Sequence, residues 1–236
     1  MTASARTASW TALLAGAISH DINNFVQGAS SARLLAGAPG ASSADADEMA
    51  ATIEADLDRM RRLGRRLRTL ASAAESTTSA RLDEACEDAV AEVDHGPAQL
   101  LRAEAARATP RVVGTPAALR TVIASLLEHA LAASPPTTTI RVAVRAPEIG
   151  DAAAAGEATR GAVVVEIVAP DALALGAIDR ERLDVALTTT FPELRGDTSL
   201  VLAGAIVDRL GGSVYIGSDA KAGLALAVHF VAAPPR

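Results

Sequence analysis

The sequence predicts an α plus α/β chain: an N-terminal antiparallel helical hairpin, which becomes a four-helix bundle when two copies pair, followed by an α/β sandwich. Two observations carry the hairpin. Residues 9–36 and 46–74 each repeat apolar side chains at three- and four-residue steps. A Gly-, Pro- and Ser-rich stretch, "AGAPGASSAD", separates them. The third observation carries the sandwich: beyond the small polar segment "ESTTSA", short β-branched runs alternate with helical segments. The boundary falls in that segment, giving 1–76 as the hairpin and 77–236 as the mixed domain.

In the first helix the apolar stripe is Trp10, Leu14, Ala17, Ile18, Ile22, Phe25, Val26 and Ala29. In the second it is Ile53, Leu57, Met60, Leu63 or Gly64, Leu67 and Leu70, close to a heptad. Arg59, Arg61, Arg62, Arg65, Arg66 and Arg68 are assigned to its outer face. A lone hairpin leaves its stripe half covered, so a homodimer through this region is expected. Beyond the boundary, "LDEACEDAVAEV" and "PAALRTVIASLLEHALAAS" read as helices, the latter with Pro116 in its first turn. "TTIRVAVR" and "GAVVVEIVA" read as strands, "TSLVLAGAIVDRLGG" as a helix stopped by Gly211 and Gly212, and "SVYIGS" and "GLALAVHFV" as the closing strands. "GDAAAAGEATRG" reads as a loose hairpin loop. Helices on one face of a mixed sheet make the sandwich.

Composition excludes several classes. Aromatics are 2% of the chain, so the core is built from Ala, Leu, Val and Ile. A formal net charge of −6 argues against a general nucleic-acid binder. Cys86 is the only cysteine, which excludes an internal disulfide and a cysteine-based zinc site and points to a reducing cytoplasm. No basic-then-apolar leader opens the chain. No apolar run approaches the roughly 20 residues of a membrane-spanning helix.

The stretch "AISHDINNFVQ" holds the residues with chemistry. On a helix, His20 shares a face with Asn23, Asn24 and Gln27, away from the stripe of Ile18, Ile22 and Phe25. A solvent-exposed imidazole is mostly neutral near pH 7, with a lone pair free on one ring nitrogen. That is what a phosphoryl acceptor needs. Asp21 can hold the useful tautomer, and Asn24 lies one turn on. Spacing alone leaves a solvated surface histidine equally open.

"SHDINNFVQG" resembles the H-box of two-component sensor histidine kinases, whose pattern is His, acid, apolar, any residue, then Asn or Thr. His20, Asp21, Ile22, Asn23 and Asn24 match it position by position. The resemblance implies that His20 is phosphorylated on a dimerising hairpin, that Asp21 serves as base, and that Asn24 serves the reverse, phosphatase-type step. The order of elements after residue 77 likewise resembles the ATP-binding domain of those kinases.

The nucleotide boxes of that domain are missing. The family's Asn-Leu-x-x-Asn-Ala, whose second Asn holds magnesium, reads here Ser125-Leu126-Leu127-Glu128-His129-Ala130. His129 is a poor magnesium ligand, since magnesium prefers oxygen, and reads instead as a partly buried helix histidine. For the Asp-x-Gly-x-Gly box, either Ala169 stands in place of the acid, or Asp171 is the acid and Leu173 and Leu175 replace the glycines. In the last glycine box Ser199 and Val201 fill the glycine positions. A β-branched residue does not take that backbone geometry readily. No Gly-Lys-Ser/Thr phosphate loop compensates.

This combination resembles the dimeric histidine phosphotransferases of the histidine-kinase-derived type. It implies reversible transfer between His20 and receiver-domain aspartates of response regulators, with an upstream hybrid kinase as a further partner. No cofactor is expected on the chain itself; magnesium is expected on the receiver. Ile18, Asn23, Gln27 and Arg59 are assigned to partner binding, although the arginine face reads equally as a solvated charged surface. Two other readings stay open: an ATP-dependent sensor kinase with a divergent site, and a non-catalytic dimer that sequesters a signalling partner. His95 and His229 carry no readable role.

Overall fold

A computed structural model of the chain describes residues 3–36, 42–73, 78–93, 100–104, 111–135, 137–145, 162–169, 181–182, 198–219 and 223–234. The expected loop at 150–161, His95, Asp171, Leu173 and Leu175 lie outside the described residues.

The hairpin consists of α1 (Ala3–Ala36) and α2 (Ser43–Ala73). Its first helix starts six residues earlier than the apolar stripe suggested. Helix α2 opens on a reciprocal cap: the Ser42 backbone N–H donates to Asp45 Oδ2 at 2.9 Å, and the Asp45 N–H donates to Ser42 Oγ at 3.2 Å. Its first half carries Asp45, Asp47, Glu48, Glu54, Asp56 and Asp58, and its second half all six arginines; of these, Asp45 lies in the first turn, where it suits the helix dipole. The two helices are antiparallel, and the Asp56 side chain of α2 reaches Gly28 of α1, where a Cβ would lie 3.4 Å from Oδ2.

The second part contains β1 (Ser79–Arg81), α3 (Leu82–Glu92), β2 (Leu100–Glu104), β3 (Arg111–Val113), α4 (Pro116–Ala132), β4 (Thr139–Arg145), β5 (Ala162–Ala169), β6 (Glu181–Arg182), α5 (Thr198–Arg209), β7 (Ser213–Asp219) and β8 (Gly223–Val231). The main sheet has the order β2-β4-β5-β8-β7-β6; β2 and β4 are parallel and the other neighbours antiparallel. Strands β1 and β3 form a separate antiparallel pair. The four strands β1, β2, β3 and β6 were not anticipated from the sequence.

Alternation along the sheet explains the core. Val165, Ile167 and Ala169 of β5, Leu224, Leu226, Val228 and Phe230 of β8, and Val214 and Ile216 of β7 join one buried cluster with α3, α4 and α5. Helix α4 is buried on nearly every side, as its apolar sequence requires. Thr115 caps it by accepting the Ala118 N–H, and Pro116 occupies its first turn. Helix α5 stops as expected. Gly211 has φ +76° and the Gly212 N–H donates to the Val207 carbonyl at 2.9 Å, a Schellman ending. Cys86 is buried against this core, and burial pushes its thiol up to about 12.

Two expectations about the hairpin are corrected. The first half of the α1 stripe is covered from within the chain: Trp10, Leu14 and Ala17 are buried, and the Trp10 ring lies on Gly204 of α5. The absence of a side chain at Gly204 makes the seat for that ring. Burying such a side chain contributes roughly 1.5–3 kcal/mol. Beyond His20 the cover is partial: Phe25 and Ala29 are half-buried and Ala32 is buried, while Ile22 (43% exposed), Val26 (53%), Leu34 (76%) and Leu35 (61%) face outward in the single chain. The second correction concerns Arg66. It is buried at 8% exposure rather than on the outer face, because it reaches across to the α/β domain. None of the helices among the described residues is long and apolar enough to cross a membrane.

Candidate functional site

His20 sits on α1 where the packed base of the hairpin gives way to its partly covered half. Its side chain is 59% exposed, that of Asp21 is 26% exposed, and His20 Nδ1 lies 3.6 Å from Asp21 Oδ1. One turn on, the Asn24 amide nitrogen is 3.2 Å from Nδ1 and 3.4 Å from Nε2 of the same ring. An amide N–H at that position can donate to whichever ring nitrogen holds the lone pair. The acid and the amide named from the sequence therefore both flank the imidazole.

His20 and Asp21 open onto a cleft of about 820 Å³ between the hairpin and the α/β domain. Helix α2 contributes Arg59, Arg62, Leu63 and Arg66 to one wall. The opposite wall comes from Glu92 at the end of α3, from Glu128, His129 and Ala132 of α4, and from Thr198, Ser199 and Leu202 in the first turns of α5. Of the residues assigned to partner binding, Arg59 lines this cleft. Asn23 and Gln27 are exposed on α1 outside it. Ile18 is half-buried and packs against the core, which removes it from the exposed face.

Most charges in the cleft are already paired. Arg66 and Glu128 form a bidentate pair, Nη1 to Oε2 at 2.5 Å and Nη2 to Oε1 at 2.6 Å, and Ser199 Oγ donates to the same Oε2 at 3.1 Å. Glu92 lies 3.1 Å from Arg120 Nε, and Arg59 is 4.0 Å from Asp56. A second cross-link joins the two parts below the cleft: Arg209 Nη1 donates to the Leu70 carbonyl at 2.8 Å, satisfying one of the last four carbonyls of α2.

The positions where the sequence lacks the nucleotide boxes have structural occupants. Ser125 is fully buried within α4, and His129 is 7% exposed at the cleft floor. Ser199 and Val201 are helical in α5, Ser199 bonded to Glu128 and Val201 fully buried. Ala169 ends β5, buried. Sequence reasoning missed Arg62, Arg66, Glu128 and Thr198 as members of this site. One signal was available for the arginines: Arg59, Arg62 and Arg66 are spaced i, i+3, i+7 and share a helix face.

No protein-family model matches the sequence, and no curated protein matches it. Solved structures do. The histidine kinase AdeS of Acinetobacter baumannii aligns with a TM-score of 0.55 at 11% identity, covering 90% of this chain and 97% of that one. Full-length ShkA in complex with AMPPNP aligns with a TM-score of 0.53 at 14% identity, covering 93% of this chain and 46% of that one. The mycobacterial sensor histidine kinase MprB aligns over 67% of this chain and 99% of that one, with a TM-score of 0.46 at 14% identity. The first two alignments extend over most of the chain, and the fold is that of histidine kinases: a helical region followed by an ATPase-type α/β domain.

Proposed function

We propose that the protein is a histidine phosphotransferase of a two-component relay in the cytoplasm. It passes phosphoryl groups between His20 and receiver-domain aspartates and does not load His20 from ATP. The observation that carries this reading is the contrast between the two halves of one cleft. On one side stands an exposed imidazole flanked by a carboxylate and an amide. On the other, the positions expected to wrap a nucleotide are a helical serine bonded to Glu128 and a buried valine. This contrast favours a chain that keeps the histidine-bearing helix of the kinase fold without the residues that wrap a nucleotide.

In the proposed transfer, Asp21 beside Nδ1 favours the tautomer with the proton on that nitrogen, leaving the Nε2 lone pair for attack. Nε2 forms a bond to the phosphorus of an aspartyl phosphate while the P–O bond to the aspartate breaks, its electron pair leaving on the carboxylate. The imidazolium that results keeps its Nδ1 proton next to Asp21, and the same path run backward delivers the group to a second receiver. Magnesium and the acidic pocket belong to the receiver, so this chain contributes position and charge. The outward apolar residues Ile22, Val26, Leu34, Leu35 and Leu57 support a homodimer through the hairpin.

The ATP-dependent alternative has a direct test. Titration with a fluorescent ATP analogue and magnesium, alongside incubation with γ-labelled ATP, is expected to give neither saturable binding nor label on the protein. Micromolar binding, or label that disappears in His20→Ala, overturns the relay reading in favour of a kinase.

A further inference from the structure

Three arginines of α2 line the cleft with His20, and they differ in how far they are already committed. Arg66 is held by Glu128 on both guanidinium edges. Arg59 has Asp56 at 4.0 Å. Arg62 is exposed and has no hydrogen-bond or ion-pair partner among the described residues. It is a guanidinium without such a partner beside the paired Arg66 and Glu128.

One contact between the helices gives its approximate height along the hairpin. Counting antiparallel from the contact of Asp56 with Gly28 brings His20 near the height of Gly64. Arg62 is two residues from that level, about 3 Å along the axis at 1.5 Å per residue, on the side of the partly covered half. The α2 face carrying Arg59, Arg62 and Arg66 is the one turned to the cleft, so Arg62 and His20 open onto the same space.

We infer that Arg62 is the phosphoryl-binding residue of this site: its guanidinium receives two oxygens of the group carried by His20. The inference rests on the phosphotransfer reading above. Phosphorylation turns a neutral ring into a dianion-bearing one, and the planar fork of an arginine matches two phosphoryl oxygens as a lysine point charge does not. A guanidinium already bridged to a carboxylate cannot do this without giving up that pair, which separates Arg62 from Arg66. The chain thus contributes one fixed cation of its own to a step in which the receiver brings the metal.

The test uses phosphoramidate, a small phosphoryl donor that needs no partner protein, with phosphohistidine read by phosphorus NMR on the intact chain. Arg62→Ala is expected to lower the second-order loading rate of His20 roughly three- to tenfold, the range for a charge-assisted contact discounted for exposure. Arg62→Lys should recover part of the rate. Arg65→Ala, an exposed arginine of the same helix outside the cleft, should match the parent. Unchanged thermal midpoints in all three variants exclude a folding effect. Equal rates in Arg62→Ala and the parent overturn the inference, as does an equal loss in Arg65→Ala, which reduces the effect to net charge. A parent that loads from phosphoramidate with this Arg62 dependence but from no receiver contradicts the relay and supports the phosphoryl site, so the two failures are distinguishable.

Discussion

Arg66 on the hairpin and Glu128 on the α/β domain face each other in a two-point ion pair, with both N···O distances at 2.5–2.6 Å. The pair closes one side of the cleft onto which His20 opens, and the Ser199 hydroxyl from α5 binds the same carboxylate. With Trp10 seated on Gly204 and Arg209 on the Leu70 carbonyl, the α/β domain is tied to the hairpin by three contacts of different chemistry. In this arrangement it forms the wall opposite His20.

Removing one member of the pair leaves a charge without its partner. The Arg66 side chain is 10% exposed and that of Glu128 31%, so the cost is below that of a fully buried pair. Arg66→Ala or Glu128→Ala should each destabilise the chain by about 1–3 kcal/mol. The double variant should cost less than the sum of the two singles. Urea unfolding of the four proteins of the cycle measures this; additive losses would mean the pair contributes no coupling.

Gly204 is required by the ring above it. A Cβ there would come 2.6 Å from Trp10 Cζ3, too close for a real contact. Gly204→Ala should cost about 1–3 kcal/mol through overpacking. Trp10 is the only tryptophan, so displacement of its ring should appear as a red shift in emission. Gly64→Ala is the control: nothing lies within 4 Å of its Cβ position, and the change should leave emission alone and stabilise α2 by up to about 1 kcal/mol.

Acid should loosen the helix starts late. The Ser42 N–H and hydroxyl hold the Asp45 carboxyl below its ordinary 3.8, and Arg81 does the same for Asp83 at the start of α3. A group whose folded-state pKa is depressed stabilises fully above its unfolded value and loses that contribution as pH falls through the folded one. Helicity should therefore hold from neutral pH down to the ordinary carboxylate range and fall below 3.8 for these two ends. Circular dichroism across an acid titration checks it, with Asp45→Asn expected to remove part of the acid transition. A transition unchanged by Asp45→Asn would mean the cap does not contribute.

Periodicity made the long elements legible and left their partners unread. The stripe of Trp10, Leu14 and Ala17 was visible as an apolar face; that it lies on α5, almost two hundred positions later, depends on one glycine in that helix. The arginines of α2 looked like one basic surface, whereas Arg66 is buried and the exposed Arg59 and Arg62 line the cleft beside it, and Arg61, Arg65 and Arg68 do not. Strand β6 has two residues and β1 and β3 three each, too few for alternation to register. His20 and Asn24 were readable as neighbours because i and i+4 share a helix face, and Asp21 was named from the H-box resemblance and the reach of an adjacent carboxylate. Glu128 was not, because a carboxylate's partner on another domain leaves no local trace.

Exchange of phosphate between His20 and receiver aspartates is the step on which the proposed function depends. Its most direct measurement mixes the protein with a receiver domain carrying labelled aspartyl phosphate and magnesium, then follows where the label resides. Transfer through His20 should give acid-labile, alkali-stable label on the protein, absent in His20→Ala, that moves on when an unphosphorylated second receiver is added. Label that never leaves the receiver except as inorganic phosphate, or that appears equally on His20→Ala, would contradict it.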